Sequence, residues 1–151
     1  MGTTATVQLS GFDLLQRRFD ALTNFHQSGV IQAVMAEGVS QTQTRIRVEK
    51  KSPDGTPWKP WSDSYATTRH GHQSLLESEG HLLTSIVGID DALAWIVGWG
   101  SPRVYASAHQ APEAVGMPVG YPKRDFLGLS DDNESDILFV VNHYLDRALS
   151  A

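Results

Sequence analysis

The sequence feature that most constrains the fold is a ten-residue segment, residues 52–61, which contains three prolines, one glycine and two tryptophans. It cannot be helical, because each proline removes a backbone donor and favours extended geometry in the preceding residue. Its Pro-Asp-Gly sequence at residues 53–55 predicts a tight turn, in which proline sets φ and glycine accepts a positive φ. We call residues 52–61 the strap and predict an ordered, irregular loop. Trp58 and Trp61 then lie either on the chain's own domain or against a partner.

The composition is that of an ordinary soluble protein, and we expect one domain spanning residues 1–151. Hydrophobic residues make up 40% and charged residues 19% of the chain, as in a typical globular domain. A formal net charge of −5 argues against binding to nucleic acid through overall charge. The absence of cysteine excludes disulfides, thiolate metal sites and cysteine nucleophiles. The sequence has no signal-peptide pattern and no long apolar run, so we predict neither secretion nor membrane insertion.

Hydrophobic periodicity indicates an α+β fold with three main helices packed on a small, mostly antiparallel sheet. The first helix is predicted to begin near Phe12 and to run for roughly three to four turns. The second runs from about residue 28 to residue 49. The third follows Ser130, a good N-cap residue that precedes several acidic residues. The buried face of this third helix is predicted to consist of Ile137, Val141, Tyr144, Leu145 and Ala148.

Alternating apolar residues predict strands at two places. The first is a short strand around Val7. The second is a hairpin, in which residues 85–89 and 93–99 pair across a turn at Asp90-Asp91. Apolar residues on both faces of the later strand, among them Trp95, predict a central strand that is covered on both sides.

Sequence motifs of the common hydrolases and nucleotide-binding enzymes, G-x-S-x-G, Walker A and G-x-G-x-x-G, do not occur. Paired carboxylates at residues 90–91 and 131–132 are explained by a hairpin turn and a helix start. Four histidines could supply nitrogen ligands to a metal, which leaves open a small metal-dependent accessory hydrolase as the alternative function. They are His70, His72, His81 and His109. The simpler interpretation is that these are loop residues, and we predict no catalytic residues, no metal and no cofactor.

Basic residues cluster at the end of the second predicted helix, between Arg45 and Lys51, and are followed by Lys59 and Arg69. This cluster is the only candidate nucleic-acid surface that the sequence offers. Cations at a helix C-terminus also interact favourably with the helix dipole. A solvated helix end is therefore the simpler interpretation, and we expect no sequence-specific binding to nucleic acid.

The strap and residues 124–129 are both irregular, and both carry aromatic or arginine side chains beside a helix that fixes one end. Irregular segments often carry function, and Trp, Tyr and Arg anchor many interfaces. We therefore predict that these segments contact other subunits. The predicted interface residues are Asp54, Gly55, Trp58, Trp61, Tyr65, Arg124 and Phe126. The alternative is that Trp58 closes the chain's own hydrophobic core.

Four motifs occur in order along most of the chain. They are Ser-Pro-Asp-Gly-Thr-Pro-Trp-Lys-Pro at residues 52–60 with Ser-Tyr-Ala at residues 64–66; Leu76-x-Ser78-x-Gly80-x-Leu82-x-x-Ser85-Ile86; Tyr105-Ala106-x-x-His109-Gln110; and Arg124-x-Phe126-Leu127-Gly128-Leu129-Ser130. Together they resemble the phage virion morphogenesis family, the tail-completion proteins of Mu-like and P2-like tailed phages and prophages. One departure is Ser78-Glu79-Gly80, where that family commonly has Asp-Thr-Gly; the turn is kept and its cap differs.

The resemblance implies a structural protein rather than an enzyme. Its role would be tail completion and head–tail joining by a ring of identical subunits at the head-proximal end of the tail, with six as a candidate number. The implied partners are other copies of the chain, the tail tube and the head–tail connector, with no membrane. The implied location is the tail or neck of the virion, after assembly in the bacterial cytoplasm. Capping the tube, bridging to the connector and chaperoning the joining remain open alternatives.

Overall fold

The structure, a computed structural model, describes residues 12–25, 29–91 and 96–150, so the predictions for Val7 and Trp95 lie outside the described residues. The helices are α1 (Phe12–Thr23), α2 (Val30–Thr44), α3 (Asp63–Ala66), α4 (His81–Thr84), α5 (Val104–Gln110) and α6 (Asp131–Ser150). Helix α2 continues as a π-helical turn, Arg45–Glu49, and a 3₁₀ turn spans Pro112–Val115. The strands are β1 (Val87–Asp91) and β2 (Ile96–Gly100). The predicted α+β class is confirmed.

Helix α2 packs between the hairpin and α6, and α6 also contacts α1. Strands β1 and β2 pair antiparallel, from Val87 opposite Gly100 to Asp91 opposite Ile96. The prediction that Asp90 and Asp91 form the turn is wrong, because both residues belong to β1 and pair with β2. The sheet of the described residues has two strands. The central position predicted for the later strand stays a prediction, because residues 93–95 and the strand predicted around Val7 lie outside the described residues.

Two glycines allow α2 to approach the hairpin closely. A Cβ atom on Gly38 would lie 2.5 Å from Cε3 of the Trp99 ring, and one on Gly88 would overlap the side chain of Met35. Such distances are far below van der Waals contact, so the backbone at each position occupies the space that a side chain would need. A side chain at Gly38 or Gly88 would therefore force Trp99 or Met35 to shift.

The hydrophobic core lies where the end of α2 meets the loops and the short helices. Its buried side chains are Ile46, Trp58, Leu82, Leu83, Ile86, Ala106 and Phe126, all between 0% and 6% exposed. The strap supplies Trp58, and the segment before α6 supplies Phe126. The irregular segments of the chain are thus part of its core.

Helices α1 and α6 leave large apolar side chains in solvent. The exposed side chains are Leu14, Leu15, Phe19, Leu22, Leu138, Phe139 and Leu149, with exposed fractions from 37% to 73%. The predicted inner face of α6 is confirmed in part, because its five residues are half-buried rather than fully buried. Two neighbouring helices therefore present apolar surface that the described residues do not cover.

Candidate functional site

Two residues separate the π-helical turn from the strap, and the first of them, Lys50, takes a left-handed conformation with φ 53°. Gly55 N–H donates to the Ser52 carbonyl at 2.9 Å, and Ser52 N–H donates to the Thr56 carbonyl at 2.8 Å. Gly55 has φ +86°, a conformation that glycine adopts without steric cost. The tight turn predicted at residues 53–55 is confirmed.

Residues 124–130 run beside the strap and are bound to it by side chains from both segments. Trp58 Nε1 donates to the Asp125 carbonyl at 3.1 Å, and the Ser52 hydroxyl bonds Oδ1 of Asp125. In the other direction Arg124 Nε donates to the Lys59 carbonyl at 2.9 Å. Its Nη2 donates to a second strap carbonyl, that of Pro60, at 3.2 Å. These bonds hold Arg124 and Asp125 against the strap.

Gln110, at the end of α5, binds the backbone of residues 126–127. Its Oε1 accepts hydrogen bonds from the backbone N–H groups of Phe126 and Leu127, each at 3.1 Å. Its Nε2 donates to the Leu127 carbonyl at 3.2 Å. The neighbouring His109 accepts the Arg124 N–H at its carbonyl, at 2.9 Å. This His-Gln pair is part of a sequence motif, but nothing in the sequence indicates that the amide pairs with the backbone.

Arg45 lies beneath the same segment and is 1% exposed. Its Nη1 donates to the carbonyls of Phe126 and Gly128 at 2.9 and 2.8 Å, and Nη2 bonds Oδ1 of Asn133. Burial lowers the pKa of Arg45, although Glu49 and Asp125 oppose this change. The prediction of a solvated helix end is wrong for Arg45, because the residue lies on the inner face of the helix.

The rest of the basic cluster contacts acidic side chains, and Lys50 also binds residues 74 and 75. Lys50 Nζ donates to Ser74 Oγ and to the Leu75 carbonyl, both at 2.8 Å, and burial lowers its pKa. Arg47 lies 3.8 Å from Glu77, and Lys51 lies 4.0 Å from Glu49. The exposed cations of the cluster therefore have neighbouring carboxylates.

A cleft of about 630 Å³ opens between the later part of the strap, the end of α5 and residues 120–124. Its aromatic lining residues are Trp61, Tyr65, Tyr105 and Tyr121. Trp61 and Tyr65 meet edge to face with ring centroids 5.9 Å apart. The guanidinium of Arg69 lies 4.3 Å from the centre of the Tyr65 ring, a cation–π geometry. We call this concavity the aromatic cleft.

The aromatic cleft is lined by charges of both signs, and three of its cations have no ion-pair partner among the described residues. Its two carboxylates have other neighbours: Glu77 lies 3.6 Å from Lys50 and 3.8 Å from Arg47, and Glu79 lies 3.0 Å from His81. Lys59, Arg69 and Arg124 line the cleft, and none of them forms an ion pair with a carboxylate of the described residues.

Arg124 is only 6% exposed, and burial lowers its pKa. His109 also lines the cleft; burial, followed by the charge of Arg124, lowers its pKa. Its buried Nδ1 has no hydrogen-bond partner among the described residues.

The structure separates the seven predicted interface residues into two groups. Trp58, Arg124 and Phe126 are buried at 5%, 6% and 0% exposure, which favours the alternative in which Trp58 closes the chain's own core. The others are accessible: Asp54, Gly55 and Tyr65 are exposed, and Trp61 is half-buried. Trp61 and Tyr65 share the aromatic cleft with Arg124, whereas Asp54 and Gly55 line a second concavity beside the start of α6. Contact with other subunits stays a prediction.

The four histidines of the metal hypothesis are not assembled into a ligand set. His70 and His72 are exposed, and His81 Nε2 lies 3.0 Å from the carboxylate of Glu79. His109 packs 6.0 Å from the Tyr121 ring. Among the residues that the structure describes, no three His, Asp or Glu side chains are grouped so that they could hold a metal ion.

The fold and the cleft define a small α+β domain whose distinctive site is an aromatic, basic concavity formed by motif-bearing loops. None of the described helices combines the length and the apolar character needed to cross a bilayer. The chain belongs to the phage virion morphogenesis family, whose sequence profile matches residues 13–146. Searches of the curated proteins and of the solved structures gave no match. Family membership supports a structural or assembly role in a phage virion rather than a catalytic one.

Proposed function

We propose that the protein completes the phage tail and joins it to the head, as a ring of identical subunits at the head-proximal end of the tail. The observation that carries the proposal is the family match over residues 13–146. All four motifs behind the resemblance lie within this range, and the structure shows that they meet in one region. The strap, α4, the end of α5 and residues 124–130 share a core and a hydrogen-bond network.

The exposed apolar side chains of α1 and α6 support self-association. Monomeric soluble proteins rarely expose large contiguous apolar patches, and such patches commonly mark protein interfaces. Phe19 is 58% exposed on α1 and Phe139 is 73% exposed on α6, and the two helices contact each other. A second copy of the chain would cover this surface in a ring. Because the net charge is −5, we expect monomers or weak oligomers in dilute solution and a ring once the tail end templates it.

The proposal includes no chemical step. Two of the polar groups that line the aromatic cleft have structural partners: Arg124 binds two strap carbonyls and His81 lies beside Glu79. We propose that the protein acts by binding its partners and holding them in position. The partners that we propose are the tail tube, the head–tail connector and other copies of the chain.

The test uses a phage or prophage that carries this gene, with the gene deleted and then supplied on a plasmid. We expect the deletion to yield separate heads and tails in electron micrographs, and complementation to restore joined particles. Because the chain contains no cysteine, a single Ser150→Cys substitution allows gold labelling at one site. The label is expected at the head-proximal end of the tail. Normal infectious particles without the gene, or a label elsewhere on the particle, would overturn the proposal.

A further inference from the structure

Two sets of unpaired charges lie on separate parts of the molecule. The cations Lys59, Arg69 and Arg124 line the aromatic cleft. The first six residues of α6 carry four exposed carboxylates: Asp131, Asp132, Glu134 and Asp136. Within the part of the chain that the structure describes, no ion pair involves any of these seven side chains. The two carboxylates that line the cleft, Glu77 and Glu79, lie beside Lys50, Arg47 and His81 instead. The cations of the cleft and the carboxylates of α6 are therefore both available to pair with a charge on another molecule.

The two sets cannot meet within one subunit in this structure. The start of α6 borders the second concavity, together with the Pro53–Gly55 turn, and that concavity shares no lining residue with the aromatic cleft. Residues 124–130 connect the two places and are fixed by the bonds to Gln110 and Arg45. A contact between the sets must join two copies of the chain.

We infer that the aromatic cleft of one subunit receives the acidic first turn of α6 from the next subunit. This inference rests on the ring that we propose above and assigns one of its contacts. A surface that binds a different surface on an identical partner forms a head-to-tail contact, and repeated contacts of this type close into a ring when the rotation permits.

The cleft has the properties of a carboxylate-binding interface centre. Arg124 is a nearly buried cation held by carbonyl oxygens alone, and a charge-assisted bond to a carboxylate is stronger than a neutral one. Trp61 and Tyr65 form apolar walls that would exclude water from such a bond, and both side chains are of the kinds that dominate interface energies. The carboxylates of α6 are exposed. The helix start that carries them is capped, because Asn133 N–H donates to the Ser130 hydroxyl at 3.2 Å.

Site-directed cross-linking tests the contact directly, since the natural chain has no cysteine. Lys59→Cys and Asp132→Cys proteins are mixed, assembled on tails in the complementation strain, and treated with a short bismaleimide. We expect dimers in the mixture, few in either protein alone, and a ladder of higher oligomers in the double variant. Glu113→Cys mixed with Asp132→Cys serves as the matched control, because Glu113 is exposed and lies outside the cleft.

Charge reversal gives a second readout. Lys59→Glu with Arg69→Glu, and separately Asp132→Lys with Asp136→Lys, should each reduce incorporation into tails at least tenfold. Both proteins should be incorporated again when mixed or when all four changes are placed in one chain. Tails that carry the protein without the cross-link, or a cleft cysteine that cross-links to a different phage protein, would overturn the inference alone. A protein that never associates with tails would overturn the proposed function as well.

Discussion

The guanidinium of Arg45 donates a 2.9 Å hydrogen bond to the carbonyl oxygen of Phe126, which lies 81 residues later in the chain. The same side chain also binds Gly128 and Asn133. One buried cation therefore connects the end of α2 to the segment that precedes α6 and to the first turn of α6. The carbonyl oxygens that it binds belong to an irregular segment that has few backbone partners of its own. A buried charge is tolerated when it is hydrogen-bonded in this way.

We expect Arg45→Met to destabilise the fold by about 2–4 kcal/mol, because several buried acceptors would lose a charged donor. Methionine preserves most of the side-chain volume, so the loss reports the hydrogen bonds rather than a cavity. Urea unfolding monitored by tryptophan fluorescence measures the change. Arg47→Met is the matched control: its side chain is 64% exposed, and its effect should stay within about 0.5 kcal/mol. Equal effects of the two substitutions would show that the hydrogen bonds of Arg45 to Phe126, Gly128 and Asn133 do not stabilise the fold.

Local patterns in the sequence predicted the elements that depend on local interactions. The extent of α2 follows from helical periodicity, and the turn at residues 53–55 from Pro-Asp-Gly chemistry. The Ser130 cap is confirmed as well, since Asn133 N–H donates to the Ser130 hydroxyl at 3.2 Å. Each of these features is determined by residues that are at most a few positions apart.

Features that depend on distant partners were missed. The bond from Arg45 to Asn133 spans 88 residues, and nothing near either residue indicates it. One signal was available: Arg45 follows Gly38 and Thr42 on the inner face of the helix, where a cation requires an explanation. The turn predicted at Asp90-Asp91 was wrong for a related reason, because the pairing of β1 with β2 overrides the local turn preference of aspartate.

Trp58 and Trp61 should behave differently when changed to alanine, although three positions separate them. Trp58 is 5% exposed, so Trp58→Ala should cost about 3–5 kcal/mol through lost burial and a residual cavity. Trp61 is half-buried in the wall of the aromatic cleft, so Trp61→Ala should retain most of the stability and reduce addition to tails. Thermal unfolding by circular dichroism, run beside the complementation assay, separates the two effects. A stable Trp58→Ala protein would show that the strap does not close the core.

Gly38→Ala should destabilise the protein even though alanine favours helix by about 1 kcal/mol over glycine. The new Cβ would lie 2.5 Å from Cε3 of Trp99. This steric clash is removed only if the hairpin moves away from α2. We expect a net loss of about 1–2 kcal/mol in urea unfolding, since overpacking commonly costs more than the propensity gain. Gly71→Ala is the control, because a Cβ there meets nothing within 4 Å. A more stable Gly38→Ala protein would mean that α2 and the hairpin are not in contact.

His109 should make the fold less stable as the pH falls. Burial and the nearby Arg124 charge lower its pKa in the folded protein, whereas in the unfolded chain its pKa is about 6.5. Below that value the unfolded chain binds a proton before the folded protein does, so the free energy of unfolding falls until the pH reaches the folded pKa. His109→Phe keeps a ring beside Tyr121 and removes the titration. We expect the wild-type protein to lose more stability than this variant between pH 7.5 and pH 5 in urea unfolding. Parallel curves would show that the folded and unfolded pKa values of His109 are the same, and a wild-type advantage that grows at low pH would reverse the predicted direction.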